Sequence, residues 1–258
     1  MFISYAYNRF VKSSLKNEHE KGVESMSSER KQLNNATLST SPSPSLFGIF
    51  YQPREQFERI KNKPNFVRAL IVVVILAVMS ALFTLDLVET SIEDELGHLM
   101  VEQSKLFSTI TKIATVIASA IVPIITILIT ATVYYIIGKI AHLSISFTQL
   151  FALFTFINLI TFSGNLVNGM LTYLSSSTDP ELLFTSLNVF VQASGALGVF
   201  LSFIEIFNIW SIILTAIGLQ IGANFSKVLS WSLVIGFNVL IVFTSIFLTI
   251  VSQSFSIM

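Results

Sequence analysis

The chain has 258 residues and a formal net charge of zero, yet only 12% of its residues are charged, about half the average for globular proteins. With 53% hydrophobic residues, 23 phenylalanines and a mean hydropathy of +0.75, it carries more apolar side chain than one soluble core of this length can cover. A soluble enzyme is therefore disfavoured, and without a basic excess the chain is not expected to bind nucleic acid. The lack of cysteine excludes disulfides, thiolate metal sites and cysteine nucleophiles.

Residues 1–45 are predicted to be a disordered cytoplasmic tail. The first 21 residues lack the apolar run of a signal peptide. Residues 27–45 are rich in Ser, Thr, Asn and Pro, a composition that cannot bury enough apolar surface to fold. Met26 is a candidate for the true start, because the residues just before it can be encoded by a purine-rich ribosome-binding site.

Residues 46–64, called here the entrance segment, are predicted to be amphipathic and to lie at the membrane interface. A short helix is expected over 53–63, since Pro53 suits a first helical turn and Pro64 cannot continue a helix. Phe57 and Ile60 are expected to enter the acyl boundary. The basic residues are expected to face phosphate headgroups: Arg54, Arg59, Lys61 and Lys63.

Two interpretations of the entrance segment stay open. It is either an anchor that orients the first span or a docking site for a partner protein. The candidate residues for membrane contact or docking are Pro53, Arg54, Phe57, Arg59 and Pro64.

The charge-free runs after Arg68 predict an all-α, polytopic membrane domain over 65–258, because about 20 apolar residues cross a hydrocarbon core of about 30 Å. Five spans are predicted, at 66–85, 113–137, 149–173, 208–226 and 228–250. The stretch from Asn188 to Gly222 is too long for one span. Residues 188–206 are therefore assigned to an outer interfacial or re-entrant helix that leads into the fourth span. Six spans is the alternative.

Charge fixes the expected orientation, because positively charged flanks stay in the cytoplasm. Residues 1–68 contain 11 basic and 6 acidic residues, whereas 86–112 and 174–187 are net acidic. The short connections that hold Lys139 and Lys227 then lie inside. The prediction is a multi-pass protein of the cell membrane with its amino terminus in the cytoplasm and its carboxyl terminus outside.

Polar residues within the spans recur at helical spacing and predict a polar face inside the bundle. The candidate members of this face are Asn158, Asn165, Asn168, Glu205, Asn208 and Trp210. Gly218 and Gly222 are expected to permit close helix packing, and Pro123 to kink the second span. The polar residues serve either helix packing or a cleft that opens outward, lined by Asn165, Asn168, Gln192, Glu205 and Asn208.

Two motifs carry a family resemblance. The first is Phe50-x-x-Pro53-Arg54-Glu55-x-Phe57-Glu58-Arg59-Ile60, followed by Lys63-Pro64. The second is Phe200-Leu201-x-x-Ile204-Glu205-Ile206-Phe207-Asn208-Ile209-Trp210, followed by Gly218-Leu219 and Ser226-Lys227. Together they resemble bacterial members of the Yip-type membrane protein family over residues 46–250. This resemblance implies a five-span bundle with a cytoplasmic amino terminus.

Within that family the chain looks most like the bacillar members that accompany an efflux assembly. The resemblance implies three partners: an ABC permease, an ATPase and a membrane-fusion-type adaptor. It further implies a non-catalytic role in assembly of a complex that protects against a secreted toxic peptide. Eukaryotic members carry an Asp-Leu-Tyr-Gly-Pro type motif that this sequence lacks, so GTPase binding is not carried over.

The sequence predicts no catalytic, cofactor or metal site. Its three histidines stand far apart, and none has a companion at metal-ligand spacing. Three hypotheses follow: an assembly subunit of an efflux complex, a stand-alone transporter or channel, and a protein that organises lipid or curvature. The lipid bilayer is the expected partner in all three, and the oligomeric state is left open.

Overall fold

The computed structural model describes residues 22–31, 42–85, 101–175, 177 and 182–256. The chain divides into two compact units, residues 1–42 and 43–258. In the first unit, residues 22–31 form helix α1 within the predicted tail. The helices of the second unit are α2 (Gly48–Tyr51), α3 (Pro53–Asn62), α4 (Val67–Phe83), α5 (Val101–Ile140), α6 (Phe147–Ser175), α7 (Asn188–Val191), α8 (Gly195–Phe203), α9 (Ile206–Gly222) and α10 (Lys227–Ser256).

The predicted all-α fold is confirmed for the described residues. Among them, four stretches are long and apolar enough to cross a membrane: Leu106–Ile140, Phe147–Ser175, Ile206–Ala223 and Lys227–Ser254. Helix α4, the first of the five predicted spans, has 17 residues. At 1.5 Å per residue it is about 26 Å long, slightly less than the hydrocarbon core. Four spans are therefore supported by length and composition, and the fifth stays a prediction.

Helix α6 is the centre of the bundle. It packs against α4, α5 and α9. In its most apolar 18-residue stretch 61% of the residues are buried, compared with 11% in the corresponding stretch of α5 and 6% in that of α10. Helices α4 and α6 run in the same direction, because Phe66 meets Phe151 near their amino ends and Phe83 meets Tyr173 near their carboxyl ends. The end of the bundle that holds Lys139 is called here the lysine end.

The entrance segment belongs to the core rather than to the lipid. Phe57 and Ile60 are fully buried, and α3 packs against α6 and α9. Gln149 donates from Nε2 to the backbone oxygen of Lys61 at 2.9 Å, and Lys61 Nζ donates to Asn224 Oδ1 at 2.7 Å. The prediction that Phe57 and Ile60 enter the acyl boundary is wrong, because the bundle itself covers the apolar face of α3.

Close approach of helices occurs at several glycines. A Cβ added at Gly218 would lie 3.2 Å from the Phe57 ring, and one at Gly222 would lie 2.6 Å from Leu153 Cδ1. Another close approach between α6 and α9 is at Gly164, where an added Cβ would lie 2.6 Å from Phe207 Cβ. Small residues of this kind permit the dispersion contacts that hold helices together where the solvent is lipid.

The path into α9 differs from the expected single helix over 188–206. Helix α7 ends at Val191, and the next residue, Gln192, has a left-handed backbone with φ of 52°; Gly195 follows with φ of 62°. The chain breaks again at Ile204 and Glu205, which are extended or irregular before α9 begins. The sequence signal was weak here, because glutamate is not among the preferred N-cap residues. At the other end, α9 stops at Gly222 instead of 226, and Asn224 makes the turn with φ of 59°.

Replacing Gly164 with leucine is expected to destabilise the bundle, because the new side chain must displace Phe207 from its contact with α6. Overpacking of this kind costs about 1–3 kcal/mol. The matched control is Gly236→Leu in α10, where an added Cβ meets nothing within 4 Å. Thermal unfolding in detergent is expected to give a lower midpoint for Gly164→Leu alone. Equal midpoints would show that α6 and α9 do not need this close approach.

Candidate functional site

Two extended segments meet where the chain enters α9. Ser186 and Glu205 form an isolated antiparallel bridge. Leu187 N donates to Ile204 O at 2.9 Å, and Ile206 N donates to Thr185 O at 3.3 Å. The bridge fixes the loop before α7 against the start of α9, and it brings together the side chains of Asn168, Thr185, Glu205 and Asn208. These four residues are called here the polar junction.

Thr185 is the link between α6 and Glu205. Its hydroxyl donates to Glu205 Oε1 at 2.5 Å and accepts from Asn168 Nδ2 at 2.7 Å, and its backbone N–H donates to Asn168 Oδ1 at 3.0 Å. A hydroxyl has one proton, so donation to the carboxylate leaves its lone pairs for the asparagine amide. Asn168 of α6 is thus hydrogen-bonded to both the backbone and the side chain of Thr185.

Glu205 caps helix α9. The residue is 8% exposed, and its Oε2 accepts the backbone N–H of Asn208 at 2.6 Å. A carboxylate at this position gains from the positive end of the helix dipole. Asn208 in turn donates from Nδ2 to Phe203 O at 2.9 Å, which satisfies the carbonyl left free where α8 ends. Each oxygen of the buried carboxylate therefore has a hydrogen-bond donor.

The polar residues predicted to share one cleft lie in three places. Asn168, Glu205 and Asn208 meet in the polar junction. Asn165 instead faces α4, where its backbone oxygen accepts from Ser80 Oγ at 2.9 Å and its side chain lines a small cavity beside Pro123. Gln192 is exposed on the loop after α7. Of the two alternatives for these residues, the five-residue cleft is therefore wrong, because Asn165 and Gln192 lie apart from the other three.

Asn158 and Trp210 lie away from the polar junction. Trp210 is partly buried against the core cluster. Asn158 lines a half-enclosed cavity of about 420 Å³ between α5, α6, α9 and α10. Further polar lining comes from Thr126 and Thr130 of α5 and from Ser211 and Thr215 of α9.

Thr185 and Asn238 are polar residues that sequence reasoning missed. Thr185 stands in a loop outside every predicted span, so helical spacing could not reveal it. Asn238 is a single amide in an otherwise apolar stretch of α10 and faces the cavity. The sequence feature that could have indicated Asn238 is the rarity of an amide side chain in such a span, since a polar residue there must find a partner within the protein.

The exposed part of the entrance segment presents aromatic and basic side chains together with Glu55 and Glu58. Phe47 is 76% exposed and Tyr51 is 69% exposed, and both Arg54 and Lys63 are exposed as well. Arg59 pairs with Glu55 one helical turn before it, an ion pair of low energy at a surface. Since the opposite face of α3 is fixed in the core, these side chains form a firmly held surface at the lysine end.

The arrangement of the site supports hydrogen bonding and packing. Within the residues that the structure describes, no group of three or more His, Asp or Glu side chains is placed to hold a metal ion. The polar junction positions one carboxylate, and the cavity between four helices offers amide and hydroxyl groups. The apolar helices and this site define a helical membrane protein, and several apolar helices fit a multi-pass arrangement.

Comparison with known proteins gives the family. The model of the Yip1 domain matches residues 47–250, and the chain belongs to this family of membrane proteins. It is similar to membrane protein YknW of Bacillus subtilis (strain 168), with 34% identity over 206 residues that cover 78% of this chain and 88% of the relative. No solved structure matches the chain. The resemblance inferred from the two motifs is therefore confirmed.

Replacing Thr185 with valine is expected to destabilise the protein, because Glu205 loses a hydrogen-bond donor and Asn168 loses its side-chain partner. Loss of a hydrogen bond to a charged group costs about 1–3 kcal/mol. Thr185→Ser keeps the hydroxyl and serves as the matched control. Thermal unfolding in detergent is expected to rank wild type and Thr185→Ser above Thr185→Val. If Thr185→Val is as stable as the wild type and Thr185→Ser is not, packing of the methyl group is responsible, because valine keeps that methyl group.

Proposed function

We propose that this Yip1-family protein is a non-catalytic accessory subunit that supports assembly of an ABC-type efflux complex. The observation that carries the proposal is the surface formed by Phe47, Tyr51, Arg54 and Lys63. These side chains are exposed although the same segment is anchored in the core through Phe57. Exposed aromatic and arginine side chains on a rigid support are typical of protein interfaces.

The family resemblance supplies the kind of partner. Bacillar members that the chain resembles accompany an ATPase, an ABC permease and a membrane-fusion-type adaptor in an efflux assembly that protects against a secreted toxic peptide. An assembly subunit needs membrane helices and a docking surface and performs no hydrolysis itself. Under this proposal the entrance segment contacts the permease or the ATPase, because its basic and aromatic side chains lie at the lysine end.

The proposed orientation follows the charge distribution. Lys139 and Lys227 stand at the same end of the bundle, where α5 ends and α10 begins. Lys139 Nζ lies 5.3 Å from the Tyr135 ring centroid, a cation–π contact that suits a membrane interface. With this end in the cytoplasm, the polar junction lies at the outer face and the carboxyl end of α10 is outside.

Cysteine labelling tests the orientation, because the chain contains no cysteine of its own. The expected result is that Ser254→Cys and Val191→Cys react with a membrane-impermeant maleimide on intact cells, whereas Ser144→Cys reacts only after permeabilisation. All three positions are exposed in the structure. Labelling of Ser254→Cys only in permeabilised cells would contradict the odd number of spans.

Affinity purification in mild detergent tests the assembly role. We expect an ATPase, an ABC permease and an adaptor to be recovered with the wild-type chain. The double variant Phe47→Ser, Tyr51→Ser is expected to lower that recovery several-fold, because it removes two exposed aromatic rings from the docking surface. The matched control is Phe190→Ser, which removes a ring that is 84% exposed on α7.

Three outcomes separate the hypotheses. Recovery unchanged in the double variant would place docking elsewhere on the chain. Absence of all three components from the wild-type preparation would contradict the assembly role. Flux through liposomes that contain the purified protein alone would favour a stand-alone transporter instead.

A further inference from the structure

The cavity between α5, α6, α9 and α10 has the dimensions of a binding site for a small molecule. Its volume of about 420 Å³ lies in the range of roughly 300–1,000 Å³ typical of ligand pockets. One end is closed where α5 and α10 meet, since the rings of Tyr134 and Phe237 are 5.5 Å apart. Beyond this pair the cavity is only half enclosed.

Three polar side chains of the cavity each donate one hydrogen bond within their own helix. Asn158 Nδ2 donates to Phe154 O at 2.8 Å, and Asn238 Nδ2 donates to Val234 O at 2.7 Å. The hydroxyl of Thr215 donates to Ser211 O at 2.7 Å. The two amide oxygens, the second N–H of each amide and the lone pairs of this hydroxyl remain available, so these groups present both hydrogen-bond acceptors and donors to a ligand.

Thr130 and Thr161 are free to bind a ligand. Both line the cavity and are partly buried. Within the described residues neither hydroxyl has a hydrogen-bond partner, in contrast to Thr126, whose hydroxyl donates to Val122 O at 2.9 Å. A hydroxyl held inside a membrane bundle costs free energy unless it is paired. These two groups therefore favour a ligand with a polar group at this depth.

The chemistry of the cavity selects among ligands. None of its described lining residues is charged. A phosphate headgroup would bring a negative charge into this cavity without a cation to neutralise it. An ammonium group would find no carboxylate. An uncharged headgroup with hydroxyl donors fits best, because it can donate to Asn158 and Asn238 and pair with Thr130 and Thr161.

A second cavity continues the site along α10. It has a volume of about 390 Å³, lies between α8, α9 and α10, and shares Ile212 and Asn238 with the first. Asn238 is the only polar side chain among its described lining residues. Phe200 and Phe203 of α8 form its other wall. The two cavities together present a polar compartment and an adjoining apolar one, which matches a headgroup joined to a hydrocarbon chain.

We infer that these two cavities form one binding site for a neutral lipid with a hydroxyl headgroup, such as a monoacylglycerol or diacylglycerol. The headgroup lies against Thr130, Thr161 and Asn238, and an acyl chain follows α10 past Phe203. A transmembrane helix of a partner fits less well, because a helix about 10 Å wide would fill about 420 Å³ with a single turn.

Photocrosslinking of the purified full-length protein tests this site. The probe is a monoacylglycerol with a diazirine in its acyl chain, and the comparison probe is a phosphatidylcholine with the same chain. We expect saturable labelling by the monoacylglycerol in α8 and α10, competed by unlabelled monoolein. Labelling by the phosphatidylcholine is expected to be unsaturable and spread over the lipid-facing helices.

Matched variants locate the headgroup. Thr130→Val and Thr161→Val are each expected to raise the half-saturating monoacylglycerol concentration roughly 3- to 10-fold, as loss of one hydrogen bond predicts. The control is Thr132→Val on the same helix α5, whose exposed hydroxyl is already bonded to Leu128 O at 2.7 Å and lines neither cavity. It is expected to behave as wild type, and unfolding midpoints exclude loss of fold.

Three results would overturn the inference. The first is equal and unsaturable labelling by both probes, which means ordinary lipid contact. The second is an identical response of Thr130→Val, Thr161→Val and Thr132→Val. The third is no labelling of the isolated protein together with crosslinking of α10 to a partner helix in native membranes, which would assign the cavities to protein contact.

Discussion

The burial of one helix among apolar neighbours is the constraint on which the rest of the bundle depends. Helix α6 packs against α4, α5 and α9, and its partners leave much of their apolar surface exposed. In lipid, apolar area alone gives helices little reason to associate. Close approach at Gly164 and Gly169 of α6 and the hydrogen bond from Ser80 to the backbone of Asn165 supply specific attraction instead. Helix α6 is thus held by contacts that lipid cannot replace.

Polar contacts secure the bundle at both ends. At the lysine end, Lys61 receives a hydrogen bond from Gln149 at its carbonyl and donates one to Asn224, so α3 joins the start of α6 to the turn after α9. At the other end, the polar junction joins α6 to the start of α9 through Thr185. Between these ends, the cavity is lined by Thr, Ser and Asn side chains that donate hydrogen bonds mainly within their own helices. The middle of the bundle is therefore the part with space and unused acceptors.

Charge-free apolar runs predicted the four spans that length and composition support among the described residues, because a hydrocarbon core requires long uninterrupted runs whatever the packing. Sequence patterns did not predict which helix surfaces pack together, because that depends on tertiary contacts. The apolar face of α3 is fully buried in the bundle although its pattern equally suits a helix on lipid, since both environments demand the same side chains. Asn165 and Asn168 of α6 were predicted to belong to one polar face. They lie towards α4 and towards the start of α9 instead, because a helix surrounded on several sides has no single inner face. Thr185 carries no periodic signal at all.

The polar junction also sets the shape of the proposed lipid site. Only Ile204 separates the end of helix α8 from Glu205, and Asn208 donates a hydrogen bond to the carbonyl of Phe203. Phe203 in turn forms a wall of the apolar cavity beside Asn238. Asn208, whose backbone N–H is capped by Glu205, thus links the buried carboxylate to the wall against which an acyl chain would lie under the proposal, although no residue of the junction lines that cavity.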